Sequence, residues 1–318
     1  MKKFLLTFAV LLPGLLAHSQ EVEDHGSSYA EVTFVARAEY SNLEDGHHLG
    51  NSSLYALVDG AFSPKLSFSV STHLLCSEPR YLYEGTGYSS TTNWLDWAFM
   101  SYDFGKVSFD FGKMPVNFGT WEMDGYDFDQ YTEIVSTYWL DMSVYQWGGR
   151  LNWQPNESFS LEGHVQTSPF GERPFASGKY TFGLSSYVYQ DWYEGFYAIN
   201  LMQAAPEFGD GNCGFFGMGH KFLFGKWGLV WDSVTELCKG APGSNMLTAT
   251  CNISDKWSVM GRAAYERAMF EDSDSRFFAG IVGNWKPTEQ LRIHALAAYD
   301  TFFESPNFNI GLTWKISL

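Results

Sequence analysis

NFNIGLTWKISL, residues 307–318, alternates large apolar residues with polar or small ones at every position. The apolar side chains occupy the even numbers, from Phe308 to Leu318, and the odd numbers include Asn309 and Thr313. Successive residues of a strand point to opposite faces, whereas a helix repeats about every 3.6 residues. The segment therefore predicts a β-strand with one apolar face and one polar face.

The same alternation recurs along the chain in segments of about ten residues. In the segment 31–40, Val32 and Phe34 lie on one face, and Thr33 and Arg37 lie on the other. Tight turns and longer loops alternate between about sixteen such segments, which places all tight turns at one end. We predict an all-β fold: a transmembrane, antiparallel, up-and-down β-barrel of about sixteen strands, in which the last strand pairs with the first.

The first twenty residues, MKKFLLTFAVLLPGLLAHSQ, carry Lys2 and Lys3 before an apolar run that Pro13 and Gly14 interrupt. This arrangement is typical of a secretory signal peptide, because the run is shorter than the ~20 apolar residues of a spanning helix. We expect a signal peptide at residues 1–20 and one barrel domain at residues 21–318. The expected location is the outer membrane of a Gram-negative bacterium.

The composition of the remaining chain restricts the class of protein. No long apolar segment follows residue 20, and the mean hydropathy is −0.19, which excludes a helical membrane protein. Aromatic residues reach 18%, as in barrels whose rims carry aromatic girdles. A secreted β-sandwich or propeller is the alternative, and the regular spacing of the strands favours the barrel.

The longest break in the strand pattern is Met114–Asp141, the third outer loop of the predicted barrel. Between Lys113 and Arg150 the sequence has no Lys or Arg and six carboxylates, so we expect this segment not to form a hydrophobic core. We predict that the loop folds into the lumen and narrows the opening. The six carboxylates are Glu122, Asp124, Asp127, Asp129, Glu133 and Asp141.

Four arginines fall on lumen-facing positions of the predicted strands. Charged lumen residues tune the selectivity of a pore. Our hypothesis is that these arginines line the wall opposite the acidic loop and that both groups form a pore constriction with a transverse field. The alternative for each arginine is a pair with a neighbour such as Glu39 or Glu266. The proposed constriction consists of Glu122, Asp124, Asp127, Asp129, Glu133, Arg37, Arg150, Arg262 and Arg292.

Phe109–Gly119, with the sequence FDFGKMPVNFG, follows an aromatic alternating strand. This segment resembles the porin O/P-like outer-membrane porins, in particular divergent members from Bacteroidota. The resemblance implies a signal peptide, a sixteen-strand barrel, a constricting third loop and a last strand that is read by the barrel assembly machinery. The chain departs from the family in its acidic third loop and in Leu318, where barrel proteins commonly have an aromatic residue. The sequence shows no cluster of cationic residues that could bind phosphate, so the phosphate selectivity of some family members is not expected for this chain.

A barrel of 16 to 18 strands leaves a water channel, which points to a porin that passes small hydrophilic solutes and ions. The net charge of −16, or −18 without Lys2 and Lys3, predicts a cation preference. The preference should be weak, because the Debye length of about 10 Å at 0.1 M salt is comparable to a pore radius. The expected partners are outer-membrane lipid and the assembly machinery, with no nucleic acid and no cofactor or metal. The sequence leaves both a monomer and a homotrimer open.

Three alternatives have weaker support. An outer-membrane hydrolase of lipid or peptide needs a serine and a histidine base in reach, and His164, His220 and His294 lie in no catalytic motif. Loop carboxylates could hold calcium, but their spacing lacks the helix–loop–helix pattern. A channel for hydrophobic solutes needs an aromatic lumen, whereas inward positions such as Gln146 and Gln166 are polar.

Cys213 and Cys238 are equidistant from the turn at Gly225-Lys226. In one hairpin they would lie opposite each other at the outer rim, and an exported chain permits oxidation. We predict a disulfide there, with two small apolar residues as the alternative.

Overall fold

The computed structural model describes residues 28–43, 46–48, 52–76, 95–142, 144–171, 175–204, 211–237, 241–267, 275–301 and 305–318. Within them, seventeen antiparallel strands form one sheet. The strands are β1 (Tyr29–Leu43), β2 (Gly46–His48), β3 (Ser53–Ser63), β4 (Leu66–Cys76), β5 (Leu95–Asp103), β6 (Val107–Pro115), β7 (Tyr145–Asn156), β8 (Phe159–Thr167), β9 (Tyr180–Gln190), β10 (Tyr193–Ala204), β11 (Gly211–Phe224), β12 (Trp227–Glu236), β13 (Ala241–Asn252), β14 (Trp257–Arg267), β15 (Ser275–Trp285), β16 (Leu291–Asp300) and β17 (Ser305–Ser317).

Sixteen of these strands close into a barrel. Strand β1 pairs with β17 from Thr33–Ser317 to Asn42–Phe308, and its other edge pairs with β3. The three-residue strand β2 pairs only with the end of β1 and extends that hairpin. Closure leaves the barrel sheet without a free edge, which confirms the predicted sixteen-strand up-and-down barrel and the pairing of its last strand with its first.

The two faces of the wall are sorted as the alternation predicts. On β17, the side chains of Phe308 and Trp314 are 55% and 49% exposed on the outside, whereas Asn309 and Thr313 are 3% and 1% exposed in the interior. An apolar outer face and a polar inner face suit a wall between hydrocarbon and water. The strict period of two therefore encodes both the strand and its orientation.

Strand boundaries differ from the sequence prediction by a few residues. The largest difference is in β13, which begins at Ala241, whereas the pattern predicts a start near Met246. Here β12 and β13 remain paired through a register shift between Val234 and Thr235. A bulge breaks the strict alternation, so the pattern hides the first residues of the strand.

The third loop connects β6 and β7, and its described residues, 116–142 and 144, lie inside the barrel. It contains two short 3-10 helices, Asp127–Asp129 and Thr132–Ile134, and the short helix α1, Thr137–Asp141. Ser136 caps α1 by accepting a hydrogen bond from Trp139 N at 3.1 Å. Across the described ranges, no helix has the length and apolarity needed to cross a membrane.

Candidate functional site

The third loop enters the barrel through a close contact between two backbones. Gly119 has a φ of +80°, and a Cβ there would lie 2.5 Å from the N of Ala198 and the O of Gly217. A Cβ on Gly217, on β11, would in turn collide with the carbonyl oxygen of Phe118. Because neither position has room for a side chain, the start of the loop lies directly on the wall.

Apolar side chains of the loop pack against three sectors of the inner wall. Val116, Phe118 and Tyr138 join a cluster with residues of β10 to β12. Tyr131 and Ile134 pack against β13 to β16. The third cluster adds Tyr126 and Phe128 to Val35, Tyr55, Leu57 and Trp97, on β1, β3 and β5. The expectation that this charged segment stays out of a hydrophobic core is therefore wrong: its apolar residues form the core of the barrel interior.

Carboxylates of the wall bind the backbone of the loop. Asp232 accepts from Trp121 N at 2.8 Å and from Glu122 N at 3.1 Å. Glu266 accepts from Thr137 N at 3.0 Å and from the Thr137 hydroxyl at 2.6 Å. The backbone amide groups of a loop inside a barrel have no neighbouring strand to pair with, and these carboxylates provide their hydrogen-bond acceptors.

Two of the predicted constriction carboxylates are buried and hold the loop together. Glu122 accepts a hydrogen bond from Ser136 N at 2.8 Å and lies 3.6 Å from Arg262. Glu133 accepts from the Ser41 hydroxyl at 3.1 Å and from Asn309 Nδ2 at 2.8 Å. Burial raises the pKa of the Glu122 carboxyl. Both acids therefore face protein rather than an opening.

Arg262 and Arg292 contact the acidic loop directly instead of lying across a gap from it. Arg292 donates to Asp129 Oδ1 at 2.7 Å and to Phe128 O at 3.0 Å. Arg262 donates to Ile134 O at 3.0 Å. Burial alone would raise the pKa of Asp129, but the charges of Arg292 and Lys315 outweigh it and lower the pKa. These ion pairs fix the position of the loop.

Arg276, which was not among the predicted constriction residues, joins two wall carboxylates to the backbone of the loop. It donates to Asp300 at 2.6 and 2.9 Å, to Val135 O at 3.0 Å and to Glu266 at 3.2 Å. The sequence does carry a signal, since Arg276 lies near the start of β15 and alternates with the apolar Phe277. Its partners, however, are spread over three distant segments of the chain.

Arg37 and Arg150 pair within the wall. Arg37 forms a buried ion pair with Glu39 and lies over the Tyr131 ring, 5.6 Å from its centroid. Arg150 Nε donates to Asp110 at 2.9 Å and lies 3.5 Å from Glu162. Each arginine is thus neutralised by wall carboxylates, as the alternative interpretation of the sequence allowed.

A cavity of about 50 Å³ lies between the loop and strands β5 to β9. The empty space around it, including the part that is open to solvent, is about 580 Å³. Among the predicted constriction residues, Asp124 from the loop and Arg150 from the wall meet here. The cavity is also lined by Glu162, Asn117, Trp97, Phe99, Tyr126, Tyr145 and Tyr187.

Asp124 differs from the other loop acids. Its side chain is half-buried beside the cavity, and within the described residues its carboxylate has no hydrogen-bond or ion-pair partner. Burial raises the pKa of Asp124 to about 7, against the attraction of Lys221 and Arg150. The carboxyl therefore changes charge near neutral pH, at the edge of the space that the loop leaves open.

Some predicted residues lie outside the part of the chain that the structure describes. The side chains of Asp127 and Asp141 are outside the described part of the structure, as is Cys238. The ladder pairs Phe215 with Glu236, and Leu237 N donates to Gly214 O at 2.8 Å. The disulfide between Cys213 and Cys238 stays a prediction.

Among the histidines whose side chains the structure describes, the contacts of His73, His220 and His294 do not form a serine-histidine-acid arrangement. Asp96 on β5 lies between Ser71 and His73 of β4: it accepts a hydrogen bond from the Ser71 hydroxyl at 3.1 Å and lies 2.8 Å from His73 Nδ1. His294 bonds Asn309 at 3.0 Å, and His220 bonds Tyr193 at 2.9 Å. Among the side chains that the structure describes, no group of three or more His, Cys, Asp or Glu could hold a metal ion.

No protein-family model matches the sequence, and no curated protein sequence matches it either. Solved structures do match the fold. The anion-selective porin from Comamonas acidovorans superimposes with a TM-score of 0.61 at 11% identity, covering 91% of this chain and 100% of that chain. A double mutant of the Rh. blastica porin gives 0.58 at 12% identity with the same coverage.

The trimer form of in-vitro folded OmpT, an outer membrane protein of Vibrio cholerae, is similar as well. Its TM-score is 0.57 at 11% identity, over 91% of this chain and 100% of that chain. At such identities the likeness shows the fold alone. This chain has a porin-like, sixteen-strand barrel fold.

Proposed function

We propose that residues 1–20 are a signal peptide and that residues 21–318 form a porin in the outer membrane of a Gram-negative bacterium. The pore passes small hydrophilic solutes and ions by passive diffusion, with a weak preference for cations. One observation carries this proposal: the third loop packs against most of the inner wall and leaves a space beside Asp124, Arg150 and Glu162.

The charges around that space support the cation preference. Arg150 is paired with both Asp110 and Glu162, so this group carries one net negative charge when all three are ionised. Asp124 adds a second negative charge above its pKa. The similar porin from Comamonas acidovorans is described as anion-selective, and we propose the opposite preference here because carboxylates outnumber cations at the cavity.

We propose that Asp124 and Arg150 line the narrowest part of the pore. The other residues of the predicted constriction contribute by holding the loop at its edge or within the wall. For the six of these residues whose side chains the structure describes, burial and pairing support this division of roles, since a neutralised ion pair attracts a passing ion only weakly. These residues are Glu122, Asp127, Asp129, Glu133, Arg37, Arg262 and Arg292.

We favour transport over an outer-membrane hydrolase. In the Ser71, Asp96 and His73 group the carboxylate stands in the middle, whereas activation of a serine requires the histidine in that place. The partners we propose are outer-membrane lipid, the barrel assembly machinery and small hydrophilic solutes. A homotrimer is proposed because one similar barrel is described in a trimer form.

Planar-bilayer recording of the refolded chain tests the proposal. We expect stable conductance steps, with a cation-side reversal potential across a KCl gradient that Asp124→Asn weakens. Asp255→Asn, the same charge change at an exposed turn between β13 and β14, is the matched control and should leave the reversal potential nearly unchanged. Absence of conductance from protein with a native far-UV spectrum would refute the porin assignment.

A further inference from the structure

The cavity beside Asp124 combines an unpaired carboxylate with an aromatic wall. Asp124 has no partner among the described residues, and the remaining acid, Glu162, is occupied by Ser185 at 3.3 Å and by Asn117. A half-buried carboxylate beside such a space is costly unless a cation approaches it. The free negative charge therefore points to a positively charged ligand.

The aromatic residues that line the cavity restrict the kind of cation. The ring of Trp97 lies 5.4 Å from that of Tyr126 and 5.7 Å from that of Tyr145, tilted by 38° and 41°. Trp97 is fixed by a hydrogen bond from Nε1 to the Ser69 hydroxyl at 2.7 Å. Tilted rings with fixed positions form a preformed wall of π-surface, which attracts cations.

A hydrated metal ion does not use such a wall well, because π-surface replaces its shell of water poorly. An organic ammonium group carries its charge on methyl or methylene groups that contact aromatic faces, while the carboxylate compensates the charge. The cavity of about 50 Å³ corresponds to a few water molecules, and it opens into a larger space. Its size suits a small ammonium head group with a tail in the open part.

We propose that this cavity is a binding site for small organic ammonium compounds, in which Asp124 compensates the charge and Trp97, Tyr126 and Tyr145 surround the head group. The inference rests on the proposed function and specifies its solute class. As such compounds pass the loop, they pause at the site, so they are both permeant and weakly retained.

Tetramethylammonium chloride is the probe. We expect it to reduce the K⁺ current of reconstituted channels reversibly and with saturation, which gives a dissociation constant. Isothermal calorimetry on refolded protein in detergent at about pH 8 should give the same dissociation constant as the current measurement. Asp124→Asn should raise that constant by about fivefold or more, because it removes the compensating charge. Asp255→Asn should leave it unchanged.

Tyr145 offers a matched pair of ring variants. Tyr145→Leu should weaken binding about two- to fivefold, whereas Tyr145→Phe, which keeps the π-surface, should change it less than about twofold. Equal losses in both variants would overturn the role of the ring.

Glucose, a neutral solute that also stacks on aromatic rings, is the second ligand to be tested, because it has no charge for Asp124 to compensate.

The outcomes separate this inference from the porin assignment. Normal K⁺ conductance without saturable tetramethylammonium binding would overturn the ammonium site and leave the porin. Saturable glucose binding in its place would assign the cavity to neutral polyols and also overturn the inference. If no conductance appears, calorimetry still decides: binding that depends on Asp124 supports the site, and no binding rejects it.

Discussion

The two sides of the third loop show how one segment meets the same barrel wall in opposite ways. Toward β12 to β16 the loop is held by Asp232, Glu266 and Arg276, and Ile134 is fully buried in the apolar cluster of this side. Toward β5 to β9 it leaves a cavity, where Asp124 carries an unpaired carboxylate. We call these the anchored side and the open side.

This difference shows that carboxylates alone do not define a pore lining. On the anchored side acids accept hydrogen bonds from backbone amides and arginines, so their charge is used within the protein. On the open side an acid of the same loop has no such partner. The capacity to act on a passing ion therefore depends on pairing rather than on the number of acids.

The anchored side should fail most severely when its central cation is removed. Arg276→Met leaves Asp300 and Glu266 without their cation inside the barrel, so we expect a loss of about 3–5 kcal/mol in the free energy of unfolding. Urea unfolding in detergent micelles measures it. Arg267→Met, which removes an exposed arginine of the neighbouring strand, is the control. Similar losses in both variants would contradict the anchoring role.

Contact at the loop entrance can be broken without changing charge. Gly217→Ala places a Cβ against the Phe118 carbonyl, which should displace the start of the loop and cost about 1–3 kcal/mol. We expect a higher single-channel conductance, because the loop then obstructs the lumen less. Gly283→Ala, at a glycine with no atom within 4 Å of the added Cβ, should leave conductance unchanged. Unaltered conductance in Gly217→Ala would show that this contact does not set the opening.

The open side should respond to pH in the neutral range. With a pKa of about 7, the Asp124 carboxyl is charged above neutrality and protonated below it. Cation preference should therefore fall as the pH decreases through about 7, measured as the reversal potential in a KCl gradient. In Asp124→Asn the profile should be flat in this range. A profile that persists in this variant would assign the titration to another group.

The smallest effect is expected at the ion pair of Lys221 and Glu194, which are 2.7 Å apart with side chains 22% and 20% exposed. Lys221→Met should cost less than about 1 kcal/mol, because water screens a partly exposed pair. Since Lys221 also lowers the pKa of Asp124, the midpoint of the selectivity profile should rise slightly. A fall in the midpoint would contradict this electrostatic link.

Much of the wall could be predicted from the sequence because its signal is local. The period of two in β17 identifies the lumen face from Asn309 and Thr313 without reference to any other strand. The strand count followed from the spacing of such segments, whereas the inward fold of the third loop was predicted from its length, its charge and the family resemblance. The start of β13 was harder to predict, since the register shift at Val234 and Thr235 interrupts the period of two.

The roles of the individual charged residues could not be predicted from such local patterns. The sequence placed Arg262 and Arg292 correctly on the inner face but opposite the loop, whereas the structure joins them to it. Arg292 and Asp129 are 163 residues apart, and no local pattern links them. Arg276 was missed for the same reason, because its partners lie on β14, on β16 and in the loop.

The sequence by itself determined the strands, the two faces of the wall and the unbalanced charge of the loop, because each depends on neighbouring residues only. The tertiary structure decided which acids are neutralised and which one faces open space. That choice depends on closure of the barrel, which brings strands from distant parts of the chain around a single loop. Asp124 became the candidate site only because the wall near it supplies an aromatic surface, while the cation of that wall, Arg150, is paired with Asp110 and Glu162.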